Sequence, residues 1–323
     1  MPLKPESVKK ILVISLSNIG DCILTFPVID ILKRDFPEAS LSIVVGQKPV
    51  TLFAGNPNIH KVFLFQKSDS PFQKMKWVLS LRKEKFDLIV DLRNTAIAVF
   101  LWPARSTPWT SVKDINLHMR QKHLNRLKDV FVYAAPSPTR FAIHLTNEHR
   151  SAVQKLLGPQ ISPADRLIVV APGAANHLKR WTAKGFAEVS DALIKEGRGK
   201  VVFVGDDHDR ATVAQVLKEM SQPALDLSGQ LSLLELAALM ERSSLVIAND
   251  SGVMHLSSYL NIPIVAIFGP TDPKLYGPWS QKSFLIQSDA LCIACRQKKN
   301  ELGHTCMEKI RAESVLEKIR QVL

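Results

Sequence analysis

Cysteine is scarce in this chain, with only Cys22, Cys292, Cys295 and Cys306 among 323 residues. That is too few to staple a protein of this length, so the thiols fit a reducing compartment rather than a disulfide scaffold. Long apolar runs are also missing. No stretch approaches the roughly 18 consecutive apolar residues a membrane span needs, and the first apolar segment is soon broken by Ser15, Ser17, Asn18 and Asp21. The segment therefore reads as neither a membrane helix nor a signal peptide, and the expected location is cytoplasmic. Aromatic residues make up only 7% of the chain, and no zinc-finger or RNP-like motif accompanies them, which argues against a nucleic-acid partner. There is no G-x-G-x-x-G, which argues against a dinucleotide oxidoreductase. Internal repeats and low-complexity tracts are absent.

What is present is the composition of an ordinary globular chain, 46% hydrophobic and 22% charged, long enough for two domains of roughly 150 residues. Its net charge of +12 is unevenly placed. Residues 1–150 hold 22 Lys and Arg against 12 Asp and Glu, a surplus of 10, whereas residues 151–323 hold 20 against 18, a surplus of 2. A basic first half suggests an anionic partner, either a phosphorylated acceptor or an acidic membrane face. A solvated surface tuned for solubility is the plain alternative.

Short apolar runs alternate with amphipathic stretches. Residues 11–15, 41–45, 62–65 and 88–91 read as strands, and 27–36 and 72–85 as helices between them. After a Pro-containing break at 134–140, a polar helix over 147–157 and a second break, the rhythm restarts. Strands are expected at 167–171, 200–205, 245–248, 264–268 and 283–286, with helices at 186–196, 233–242 and 308–323. This alternation is that of parallel sheets covered by helices, an α/β chain of two domains.

The richest stretch is Leu245 to Pro273, LVIANDSGVMHLSSYLNIPIVAIFGPTDP. An apolar strand stops at Asn249-Asp250-Ser251-Gly252 and a helix resumes at once. The first N–H groups of such a helix point outward and favour an anion, and Gly252 admits close approach of a ligand. A second buried strand then runs into the rigid loop Gly269-Pro270-Thr271-Asp272-Pro273. Ligands of open α/β sheets bind at that edge, so the stretch has the makings of a nucleotide-sugar pocket.

The pattern NDSGVMH followed by a strand and FGPTDP resembles glycosyltransferase family 9, the ADP-heptose:lipopolysaccharide heptosyltransferases. Two further anchors extend the resemblance. KILVISLSNIGDCILTFP, Lys10 to Pro27, is similar to the family's opening strand, Ser-x-x-Gly-Asp loop and helix. Ala171-Pro172-Gly173 through Lys179-Arg180-Trp181 resembles the loop after the first strand of its donor-binding domain.

The resemblance implies a GT-B fold, two Rossmann-like domains facing each other across a cleft. Residues 1–163 would form the acceptor-binding domain with its linker, 164–306 the nucleotide-sugar domain, and 307–323 a helix crossing back to the first. It implies inverting transfer of L-glycero-D-manno-heptose from ADP-heptose to the phosphorylated inner core of a lipopolysaccharide precursor. The cysteine-bearing tail leans towards the enzyme that adds the second heptose. No cofactor is implied, and the acceptor would be met at the inner face of the cytoplasmic membrane.

By the resemblance Asp21 takes the place of the catalytic base, since inverting transfer needs a base to accept the acceptor hydroxyl proton; its local alternative is a residue that merely favours the helix dipole. Ser17, Asn18 and Gly20 shape the same loop or contact the acceptor. Lys179 matches the lysine that contacts the diphosphate, a cation in place of a metal. Of Lys179 and its neighbour Arg180, one could instead pair with Glu188. Asp250, Ser251 and Gly252 match the stretch holding donor sugar and phosphates, and His255 a histidine one turn later; the alternative for His255 is a satisfied histidine on a buried face. Asp207 matches a carboxylate that reaches ribose.

Asp207-x-Asp209 also fits a three-residue metal-binding pattern of another glycosyltransferase class, but its place after a second-domain strand favours the ribose role, and no catalytic metal is expected. Cys292, Cys295, His304 and Cys306 have the ligand types and close first spacing of a structural zinc site; free thiols are the competing reading, favoured by a reducing compartment. Rival functions are a sugar-nucleotide epimerase or hydrolase, a family member using another donor, and a silent membrane-surface binding protein.

Overall fold

The computed structural model describes residues 5–109, 116–288 and 306–323. The chain divides into two compact units, Met1–His144 and Leu145–Leu323.

In the first unit, β1 (Lys10–Ile14), β2 (Ser40–Val45), β3 (Lys61–Leu64), β4 (Leu88–Asp91) and β5 (Arg105–Ser106) form a parallel sheet of order β3-β2-β1-β4-β5. Around it run α1 (Ile19–Ile23), α2 (Phe26–Asp35), α3 (Pro71–Arg82), α4 (Ile97–Leu101) and α5 (Met119–Lys128). The central strand is covered on both faces: Ile11, Leu12, Val13 and Ile14 are wholly buried. This is why strands of a parallel sheet read as unbroken apolar runs rather than alternating ones. One side of the core joins Leu12, Ile14 and Ile89 to Val78, Leu81, Ile97 and Leu101 of α3 and α4.

The second unit opens with α6 (Asn147–Leu157) and then alternates β6 (Leu167–Ala171), α7 (Ala183–Lys195), β7 (Lys200–Phe203), α8 (Arg210–Glu219), β8 (Leu225–Asp226), α9 (Leu233–Arg242), β9 (Leu245–Asn249), α10 (Gly252–Leu260), β10 (Ile264–Phe268), α11 (Pro273–Tyr276) and β11 (Ser283–Gln287). The helix α12 (Ala312–Arg320) follows. The sheet is again parallel, in the order β11-β10-β9-β6-β7-β8. The chain lays down β6, β7 and β8 in one direction, then returns to add β9 beside β6 and continues the other way. The C-terminal ends of β6 and β9, paired Ala171 to Ala248, thus flank the point where the strand order reverses, the position at which such sheets bind ligands.

The stretch 145–163 lies in the second compact unit. There α6, capped by Thr146, packs on α9, and Arg150 pairs with Glu241 at 3.0 Å. The tail helix packs on α7 and β10 within the second unit. Its buried Val315, Leu316 and Ile319 join the core built by Ile168, Phe186, Leu193, Val265 and Ile267, and Arg320 bonds Glu196 at 2.7 Å. Three apolar residues on one stripe need a partner surface, and α7 with β10 supplies it.

Candidate functional site

At the reversal point of the second sheet, the Lys179 ammonium lies 2.7 Å from the Asp250 carboxylate. Lys179 ends a short 3-10 turn after β6, and Asp250 follows β9 directly. The pair is lopsided, with the Asp250 side chain 4% exposed and that of Lys179 29%. A carboxylate so buried would be costly without its cation, and the cation keeps an open side.

Asn249 holds this geometry together. Wholly buried, its side-chain oxygen accepts from the Trp181 N–H at 3.0 Å, and its amide donates to the Pro172 carbonyl at 2.8 Å. Both ends of the loop 172–181 are thereby tied to the end of β9, which aims Lys179 at Asp250. Trp181 is clamped in turn: its indole N–H donates to the Ile310 carbonyl at 3.0 Å, its ring meets Phe186 edge-on, and Gly185 lies against its face so closely that a Cβ there would run into the ring.

Beside the pair, α10 begins. Gly252 opens it with ordinary helical backbone, so a left-handed turn is not the reason for the glycine. Without a side chain it leaves the helix start unobstructed. Ser251 stands at the N-cap but makes no side-chain capping bond, and its buried hydroxyl has no hydrogen-bond partner among the described residues. His255, 5% exposed, stacks on Trp279 at 5.7 Å between ring centres.

The acids after β7 separate. Asp207 is outward-facing and pairs with Arg210 at 3.0 Å. Asp209 turns inward, against Gly173 and Gly205, where a Cβ on either glycine would collide with its side chain. Desolvation raises the Asp209 carboxyl above its ordinary value. Arg180 does not reach Glu188; it donates to the Ala174 carbonyl at 2.9 Å and to the Thr212 hydroxyl, while Glu188 faces Lys184 at 3.9 Å.

The first unit repeats the arrangement, with its own reversal point between β1 and β4. The loop after β1 carries Ser17, Asn18 and Gly20, and α1 begins there. The Asn18 amide donates to the Asp21 carboxylate at 2.9 Å, and the Ser17 hydroxyl oxygen is buried with no partner among the described residues. Gly46, at the end of β2, is packed against Ser17 with no room for a Cβ. Cys22 is not a nucleophile in waiting: burial pushes its thiol up to about 12, so the reactive thiolate is essentially absent near neutrality. Asp91, at the end of β4, is used structurally, accepting from the Arg93 and Thr95 N–H groups and the Thr95 hydroxyl.

Sequence reasoning named Lys179 and Asp250 but missed Asn249, Trp181 and Asp209 as members of the site. Asn249 lay inside the quoted motif, and its signal was a buried-type position at a strand end occupied by an amide. No group of three or more His, Cys, Asp or Glu among the described residues is arranged to hold a metal ion. Cys292, Cys295 and His304 lie outside the described residues, and Cys306 is buried in the core of the second unit.

Two parallel α/β sheets in tandem, each with polar residues at the point where its strand order reverses, form the two-domain GT-B fold. The solved glycosyl transferase family 9 structure from Veillonella parvula superposes with a TM-score of 0.85 at 26% identity, over 100% of this chain and 98% of its own. The model of glycosyltransferase family 9 (heptosyltransferase) matches residues 75–306, and the chain belongs to that family. Lipopolysaccharide heptosyltransferase 3 of Escherichia coli K12 is 26% identical, over 81% of this chain and 83% of its own. Lipooligosaccharide heptosyltransferase 2 of Campylobacter jejuni is 27% identical, over 94% and 96%.

Proposed function

We propose that the protein transfers L-glycero-D-manno-heptose, with inversion, from ADP-heptose to the phosphorylated inner core of a lipopolysaccharide precursor, as the enzyme adding the second heptose does. The observation that carries this reading is the Lys179–Asp250 pair at the reversal point of the second sheet, beside an open helix start. The names of the two relatives, a type 3 and a type 2 heptosyltransferase, support the class of reaction. ADP-heptose as donor rests on the motif resemblance.

In this reading the donor diphosphate lies at the start of α10, where outward N–H groups and the Ser251 hydroxyl supply donors. An ammonium has three protons to donate; Asp250 takes one from Lys179, and the open side of Lys179 serves the diphosphate. As the glycosidic bond to the leaving oxygen breaks, negative charge grows on the nucleotide diphosphate and a fixed cation stabilises it without reorganisation. Asp250 keeps that cation aimed, and His255, in the opening turn of α10, serves the donor from the same helix. Asp207, outward-facing after β7, takes the ribose hydroxyls. Asp21, steadied by Asn18, accepts the proton of the attacking acceptor hydroxyl, with Ser17 and Gly20 shaping its loop. The chemistry calls for no metal, because Lys179 supplies the charge. Catalysis would take place in the cytoplasm, with the protein bound peripherally at the inner membrane face, where its basic first half meets the phosphorylated acceptor.

The test is ADP release from ADP-heptose, with and without a heptose-deficient lipopolysaccharide acceptor, in EDTA. Acceptor-dependent release is expected, falling on the order of a hundredfold or more in Asp21→Ala. Release without acceptor would point to a hydrolase or epimerase, and loss of activity in EDTA that added metal restores would overturn the role given to Lys179.

A further inference from the structure

The first unit carries an apolar surface that its own core does not use. Phe72, Met75 and Leu79 follow the i, i+3, i+7 spacing of one helical stripe on α3, and are 79%, 44% and 50% exposed. Next to α3 packs α4, whose Val99 and Phe100 are about half exposed, followed by Trp102 at 74%. These residues are not displaced core. Val78 and Leu81 on the other side of α3, with Ile97, Ala98 and Leu101 of α4, already fill the core. Nor is α3 loosely formed, since Ser70 and Gln73 close a reciprocal capping box at its start and Pro71 occupies its first turn.

The charge around this surface is mostly positive. From Asp69 to Lys85 the chain has Lys74, Lys76, Arg82, Lys83 and Lys85 against Asp69 and Glu84, the latter paired with Lys61 at 2.7 Å; from Leu92 to Trp109 it has Arg93 and Arg105 and no carboxylate, after the buried Asp91. Lys76 and Lys83 lie one turn beyond Phe72 and Leu79 on the same stripe and are exposed. The Arg82 guanidinium stacks 4.0 Å over the Trp102 ring, joining the end of α3 to the end of α4. Protruding aromatic and aliphatic side chains interleaved with a surplus of cations are what an interfacial helix presents to lipid. The apolar groups enter the headgroup boundary, and the cations meet anionic headgroups with their stems laid along the apolar surface.

We propose that the α3–α4 face, centred on Phe72, Leu79, Phe100 and Trp102 and ringed by Lys76 and Lys83, docks the protein on an anionic lipid bilayer. It gives a definite surface to the peripheral contact in the functional reading above, on which it rests for the identity of the membrane. No helix among the described residues is long and apolar enough to cross a membrane, so this contact is superficial and reversible, dependent on apolar insertion and charge together.

The full-length protein is incubated with vesicles of phosphatidylcholine alone or with phosphatidylglycerol, and bound protein is measured by sedimentation at low and high salt. Binding to the anionic vesicles is expected, weaker in high salt and at least tenfold weaker on neutral vesicles. Phe72→Ser with Trp102→Ser, and separately Lys76→Glu with Lys83→Glu, are each expected to weaken it by on the order of tenfold or more. All four side chains are exposed, so both variants should keep the native melting temperature and full transfer to a water-soluble, lipid-free acceptor fragment. Equal vesicle binding by the variants and the native protein would overturn the proposal. So would a native protein that ignores anionic vesicles, or one that forms a dimer through this face that the serine variant abolishes. Transfer to the soluble fragment fails only if the functional reading fails, which separates the two.

Discussion

His123 is 3% exposed, and neither ring nitrogen has a hydrogen-bond partner among the described residues. Burial, reinforced by Arg126, His118 and Lys122, lowers its pKa from about 6.5 to about 4. Between those values the unfolded chain binds a proton that the folded chain refuses, so stability falls as pH drops from about 6.5 to about 4 and levels off below. The full effect is on the order of 3 kcal/mol. Urea unfolding followed at pH 7 and pH 5 should show this slope, and His123→Leu should flatten it. Other residues differ in how openly the sequence announces them. Asp250 directly follows a strand, and Lys179 and Asp21 lie in the segments that follow one, all within recognisable motifs where an ionisable side chain after an apolar run is conspicuous. Asn249 is as central as any, yet its work is to bond Trp181 and Pro172, 68 and 77 residues away. Such a role belongs to the folded loop and leaves no local pattern.

At the scale of elements, the 3-10 turn bearing Lys179 is only as well placed as the segment after it. Trp181 is held at its backbone by Asn249, at its indole by Ile310 and on its ring face by Gly185. Gly185→Ala sets a methyl against a ring that cannot retreat, and overpacking of this kind costs about 1–3 kcal/mol. A lowered melting temperature is expected, with weaker donor binding in calorimetry because Lys179 lies two residues from the disturbed indole. Unchanged donor affinity would show that the clamp does not transmit to Lys179. Elements with continuous apolar runs, such as Leu88–Asp91, Leu167–Ala171 and Ile264–Phe268, were readable to the residue. The two-residue strands Arg105–Ser106 and Leu225–Asp226 are too short to make a pattern. Helix α5 escaped for another reason: half of its buried face is His123 and Arg126, so its sequence lacks an apolar stripe.

Over the whole molecule, α12 places Val315, Leu316 and Ile319 in a core cluster of the second unit. Removing the buried Ile319 side chain by Ile319→Ala should cost roughly 2–5 kcal/mol, a large part of the stability of a typical domain. Peptide-resolved hydrogen exchange should register the loss throughout residues 145–323 and leave protection in the first unit unchanged. The tandem α/β architecture was legible in the alternation of strand and helix. The surface of α7 and β10 that α12 packs on was not, because an amphipathic stripe states that it needs a partner without stating which.

The bond from the Trp181 indole to the Ile310 carbonyl joins residues 129 apart, and that interval is also a length of time. Ribosomes add about 5–20 residues per second, so on the order of ten seconds pass between the synthesis of Trp181 and that of its partner. Through that interval the first sheet can complete its packing while the lysine loop of the second waits for the segment that will lock it. Each newly made molecule thus gains its Asp21 loop early and the clamp on its Lys179 loop last.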